Sequence, residues 1–213
     1  MKFVYEFIGT FFLVLTVGMT VLGPNSVALW APLAIGSALA IMVFAGGHIS
    51  GGHYNPAVSF SAFLRKKLSG RDLGLYWIAQ LAAGVLAAFI TIYFKGERSS
   101  TPLELNYLKA LLAEFIFTFA LCYVVLNTAT VKATSGNSYF GWAIGFTVLV
   151  GAYAVGAISG AAFNPAVALG ITILNLSHWS NIWIYIVANL AGGAAAAFVV
   201  NRAHSETGRR SKA

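Results

Sequence analysis

The sequence predicts an all-α membrane protein: six transmembrane helices plus two re-entrant half-helices, arranged as an inverted repeat. Three observations carry this. Of 213 residues, 59% are hydrophobic and only 9% charged, against roughly 25% charged in a soluble domain. The 58 residues between Glu6 and Arg65, and the 69 between Lys132 and Arg202, contain no Asp, Glu, Lys or Arg. Finally, the two halves of the chain repeat in register, and each carries Asn-Pro-Ala. A water-soluble globule, a disordered chain, a coiled coil and a collagen are all excluded by this composition.

Taken in order, the apolar segments place spans at 4–23, 31–49, 72–94, 109–131, 139–158 and 181–201, each near the roughly 20 residues a bilayer requires. Turn chemistry separates them: Gly23-Pro24-Asn25-Ser26, the charged stretch from Arg65 to Asp72, Lys95 to Pro102, and Thr134 to Ser138. The first span is read as part of the repeat rather than as a signal peptide, because it contains Glu6 and lacks a small-residue cleavage site. The single cysteine, Cys122, falls within an apolar segment and reads as a small core residue.

Basic residues are retained on the cytoplasmic side during insertion. With the N-terminus inside, ten fall inside: Lys2, Arg65, Lys66, Lys67, Arg71, Lys132, Arg202, Arg209, Arg210 and Lys212. Three fall outside: Lys95, Arg98 and Lys109. Both termini are expected to be cytoplasmic. The net charge of +7 then belongs to membrane flanks and not to a nucleic-acid-binding surface.

At an offset of 108, Glu6-Phe7-Ile8 and Thr10-Phe11 match Glu114-Phe115-Ile116 and Thr118-Phe119. At an offset of 109, Ile49-Ser50-Gly51, Asn55-Pro56-Ala57-Val58, Leu81-Ala82, Gly84 and Ala87-Ala88-Phe89 recur as Ile158-Ser159-Gly160, Asn164-Pro165-Ala166-Val167, Leu190-Ala191, Gly193 and Ala196-Ala197-Phe198. Three spans per half is an odd number, so the second half enters from the opposite side. Residues 1–102 and 103–213, the latter ending in a basic tail, are the two expected inverted repeats.

The apolar stretches 55–64 and 164–175 are too short to span. Asn is a good helix N-cap and Pro suits the first helical position, so each stretch reads as a half-helix starting at Asn-Pro-Ala. Inverted symmetry makes the two meet N-terminus to N-terminus near the midplane. The backbone before them, Gly46 to His53 and Gly156 to Gly160, reads as irregular, and in a bilayer it must line a polar cavity or be buried in protein.

Here the sequence resembles the aquaporin and aquaglyceroporin family, the major intrinsic proteins. The resemblance rests on AGGHISGGHYNPAV at 45–58, SGAAFNPAV at 159–167, and the paired Glu6 and Glu114. It implies a right-handed helix bundle and a passive channel for water and small neutral solutes, with no cofactor, in a homotetramer with one pore per subunit. It assigns the pore motifs to Asn55, Pro56, Ala57, Asn164, Pro165 and Ala166. The electrostatics agree: each half-helix N-terminus carries about half a positive charge, which repels cations. The asparagine amides can donate to a passing oxygen.

His48 and His53 are pore-loop candidates by this resemblance, with loop packing or capping as the plainer reading. Glu6 and Glu114, as intramembrane carboxylates, are either proton-coupling acids or acceptors for the backbone of the re-entrant loops; the resemblance implies the second role. Gln80 and Asn189 are expected interhelical hydrogen-bond partners, and Gly84 and Gly193 close-packing positions.

The sequence departs from most of the family after the second motif, where Val167 stands in place of the usual Arg, as in some vacuolar plant members. The resemblance, carried over by spacing from the two motifs, implies Ile35, Ala152 and Ala161 as the other filter positions. Such a ring is apolar and wide, and it fits neither the water-selective nor the glycerol-facilitator pattern. The expected function is passive conduction of water and small uncharged solutes such as glycerol, urea, ammonia or hydrogen peroxide, in the cell (plasma) membrane. A proton- or ion-coupled secondary transporter and a poorly conducting structural member of the fold are the alternatives. No nucleophile-base set or metal-ligand cluster suggests an enzyme.

Overall fold

The computed structural model describes residues 1–23, 28–96, 98–99 and 101–210, with residues 205–210 described by their backbone alone. Pro24, Asn25 and Ser26 of the first expected turn, Glu97 and Ser100 of the mid-chain linker, and Lys212 of the basic tail lie outside the described residues. Among the described residues eight α-helices follow in order: α1 Lys2–Val21, α2 Ala31–Ser50, α3 Pro56–Leu64, α4 Gly70–Lys95, α5 Tyr107–Thr130, α6 Phe140–Ser159, α7 Pro165–Ile173 and α8 Ile182–Arg210. Six are long and apolar enough to cross a membrane; α3 and α7, of nine residues each, are the half-helices. Among the described residues β-pairing is limited to an isolated bridge between Leu103 and Ser177, where the mid-chain linker runs past the end of α7.

The outward faces are apolar, the reverse of a soluble protein. Ile41, Ile78, Phe89, Val150 and Phe198 are all exposed. Trp30, Tyr107, Trp179 and Trp183 cluster at the helix ends near the mid-chain linker, while Tyr139 and Trp142 mark the start of α6. Aromatic side chains suit the interface between hydrocarbon and water at both faces of a bilayer.

The halves pack in matching pairs: α1 against α4 and α5 against α8, with α2 crossing α6. Each half-helix docks on the last span of the other half, α3 on α8 and α7 on α4. Glycine permits this approach. A Cβ on Gly84 would lie 2.7 Å from the Ala166 carbonyl oxygen, and one on Gly193 would lie 2.9 Å from that of Ala57.

Two expectations need correction. The segments Gly46–Ser50 and Gly156–Ser159 are the last turns of α2 and α6, not irregular backbone. Their glycines do not break the helix; Gly46 leaves room for the Tyr54 hydroxyl. The break comes at Gly51 (φ 92°) and Gly160 (φ 84°), which end the two helices in the left-handed region that glycine tolerates. The last span also outruns its expected end at 201, continuing as helix to Arg210. The helix-favouring residues Arg202, Ala203 and Glu206 allow that continuation.

Candidate functional site

The irregular backbone that remains is short: residues 51–55 before α3 and 160–164 before α7. Each loop is wrapped around a buried carboxylate. Glu6 Oε1 accepts from Ser50 Oγ (2.7 Å) and His53 N (3.0 Å), and Oε2 accepts from Tyr54 N (2.6 Å) and Gln80 Nε2 (2.8 Å). Glu114 repeats the pattern with Ser159 Oγ (2.7 Å), Ala162 N (2.9 Å), Phe163 N (2.7 Å) and Asn189 Nδ2 (2.9 Å). Four donors to one carboxylate replace the water that this backbone lacks inside the bundle. The serines then turn each loop, since Ser50 Oγ accepts from Gly52 N and Ser159 Oγ from Ala161 N, both at 3.1 Å. Tyr76 and Tyr185 donate to the Ser50 and Ser159 carbonyls at 2.6 and 2.8 Å.

Asn55 and Asn164 cap the half-helices and also join them. Asn55 Oδ1 accepts from Ala57 N (2.8 Å) while its amide donates to the Phe163 carbonyl (2.9 Å). Asn164 Oδ1 accepts from Ala166 N (2.9 Å) and its amide donates to the Tyr54 carbonyl (2.9 Å). The capping bonds fix each amide on its own helix, and the crossed bonds bring the two positive helix ends together. Each amide has a second N–H beyond the one used in the crossed bond.

A cavity of about 480 Å³ descends to this junction. Its wall contains Ile35, Ala152, Ala161 and Val167, the filter positions implied by the family resemblance, together with His53, Asn55 and Asn164. Leu29, Thr101 and Leu103 lie at its mouth, so it faces the mid-chain linker. A second cavity of about 390 Å³ lies toward the other end, beside Lys2, Lys67 and Asp72. Pro56, Ala57, Pro165 and Ala166 are buried beneath the junction as the first turns of α3 and α7.

Six membrane-length helices enclose two half-helices capped by crossed asparagines, with a matched carboxylate behind each loop. The family profile described as Major intrinsic protein matches residues 1–200. The chain belongs to the major intrinsic protein family. It is 34% identical to "Aquaporin NIP1-1" of Oryza sativa subsp. japonica, over 94% of this chain and 73% of that protein. Identity to "Aquaporin TIP1-2" of Musa acuminata is 40% over 79% of this chain and 69% of that one. Nodulin-26 of Glycine max is 34% identical over 94% and 76% of the two chains. In fold, the chain is similar to the X-ray structure of the aquaglyceroporin from Plasmodium falciparum, with TM-score 0.75 and 21% identity, covering 92% of this chain and 93% of that one. The architecture is thus the aquaporin fold. Major intrinsic proteins are membrane channels rather than enzymes.

Within this major intrinsic protein the expected loop residues separate. His53 lines the first cavity, and its Nδ1 lies 3.1 Å from Ser59 Oγ. His48 does not join it: it occupies an exposed position in the last turn of α2, because that helix extends further than expected. Glu6 and Glu114 are wholly buried and absent from the walls of both cavities. Gln80 and Asn189 bridge helices as expected, each binding its glutamate and a hydroxyl, Ser59 or Thr118. The sequence reading missed the carbonyls of Tyr54 and Phe163, which receive the crossed amides, and the tyrosines that fasten the loop starts. The second could have been found, since Tyr76 and Tyr185 match at the same offset of 109 as the motifs.

Proposed function

We propose that this chain is a passive channel for water and small uncharged solutes, running from the linker-side cavity past Asn55 and Asn164 to the opposite cavity. The crossed asparagine amides at the base of the larger cavity carry this reading. They put two half-helix N-termini and spare N–H donors at one point of a cavity lined largely by aliphatic side chains. Such a point favours neutral hydrogen-bond acceptors and repels cations. The relatives named aquaporins support the same substrate class. Residues 1–102 and 103–213 act as inverted repeats, each supplying one half-helix to the path.

Both termini lie in the cytoplasm, so the linker-side cavity is the outer one; the working unit is a homotetramer in the cell (plasma) membrane. The ring of Ile35, Ala152, Ala161 and Val167 carries no charge and small side chains at two of its four positions, which supports passage of solutes such as glycerol, urea, ammonia and hydrogen peroxide. As for coupled transport, the carboxylates that could serve it have their oxygens engaged by four donors each, away from the path. That arrangement supports positioning of the loops.

Val167→Arg tests the ring. Stopped-flow light scattering on proteoliposomes under glycerol and urea gradients is expected to show a severalfold fall in both permeabilities, with water flux retained. Unchanged glycerol and urea flux would contradict the placement of Val167 on the path.

A further inference from the structure

The two cavities share two wall residues, His53 and Val125. The larger cavity already contains the whole apolar ring and both asparagines, so it continues without interruption past the ring and past the helix junction. His53 and Val125 are where its wall meets that of the second cavity. The repeat explains why the boundary falls on one side. His53 corresponds to Ala162 and Val125 to Val17, and both counterparts lie within the larger cavity. Alanine in place of the imidazole leaves that half open.

Both sides of the boundary are held. Val125 on α5 is 6% exposed and belongs to the main core cluster. The His53 backbone N–H is bound to Glu6, its ring meets Tyr76 edge-on at 5.3 Å, and Nδ1 contacts Ser59 Oγ. Ser59 Oγ accepts from Gln80 Nε2 (2.9 Å) and lies 3.1 Å from His53 Nδ1. In the tautomer that lets Ser59 donate to Nδ1, the proton of the neutral ring sits on Nε2. Among the described residues Nε2 has no hydrogen-bond partner. The second half has no equivalent, because Ala168 stands where the repeat would place a second serine.

From this geometry we infer that the size limit of the path is a neck between His53 and Val125, inward of the asparagines, and not the Ile35, Ala152, Ala161 and Val167 ring. Val125 sets the width, and His53 offers Nε2–H to the oxygen of a neutral solute as it passes. The inference rests on the channel reading. Its test is stopped-flow permeability of proteoliposomes to water, urea and glycerol for the wild type, Val125→Ala and Val125→Ile. Val125→Ala is expected to raise the glycerol-to-water ratio severalfold and Val125→Ile to lower it. The second variant, larger by one methylene, decides the matter if the first does not fold. Wild-type conduction with a ratio that neither folded variant moves would overturn the neck while leaving the channel intact. Wild-type vesicles no more permeable than empty ones would overturn both.

Discussion

Glu114→Ala is expected to abolish conduction and to lower the unfolding temperature in detergent sharply. The substitution leaves the Ala162 and Phe163 N–H groups, the Ser159 hydroxyl and the Asn189 amide without the acceptor they share. A buried donor left unpaired costs about 1–3 kcal/mol. The two backbone N–H groups alone therefore cost about 2–6 kcal/mol, a large share of the about 5–15 kcal/mol by which a typical protein is stable. The loop they belong to also carries Ala161 and Phe163 at φ 51° and 48°, conformations that an L-residue holds only when its surroundings enforce them. Glu114→Gln keeps one acceptor oxygen and turns an NH2 toward the remaining donors, so an intermediate loss is expected. Thermal melting separates this role from proton coupling. A coupling acid replaced by glutamine would melt like the wild type and lose only its dependence on a proton gradient.

Gly84→Leu is expected to remove water permeability almost completely, and Gly84→Ala to reduce thermal stability by about 1–3 kcal/mol, the usual cost of overpacking. The obstacle is backbone: the added Cβ would meet the Ala166 carbonyl oxygen at 2.7 Å, in the first turn of α7. The half-helix would have to retreat from α4, and with it Asn164 and its bond to the Tyr54 carbonyl (2.9 Å). The counterpart Gly193, whose Cβ would meet the Ala57 carbonyl at 2.9 Å, should behave alike because the docking is reciprocal. Normal melting and normal water flux in Gly84→Leu would show that α7 does not need this approach to α4.

Much of this was legible because the chain states its design twice. Matches at offsets of 108 and 109 pair Glu6 with Glu114, Asn55 with Asn164 and Gly84 with Gly193, and each pair occupies equivalent positions. Ile35, Ala152, Ala161 and Val167, carried over from the family resemblance, line one cavity. Gly46 and Gly47 read as helix breakers by propensity, yet tertiary packing uses the first to receive Tyr54 and lets α2 run on to Ser50. His48 was misplaced with them. Val125 was invisible for a different reason: nothing in its type or neighbours distinguishes it from other aliphatic residues of α5. Only the three-dimensional meeting of α5 with the loop carrying His53 gives it a position on the path.

The central claim is a passive path through the junction of the two half-helices. Its most direct measurement is osmotic water flux in proteoliposomes with ionophores present to collapse proton and ion gradients. Flux well above that of empty liposomes, and unchanged by the ionophores, is predicted. Flux equal to that of empty liposomes, or flux that disappears when the gradients collapse, would contradict it.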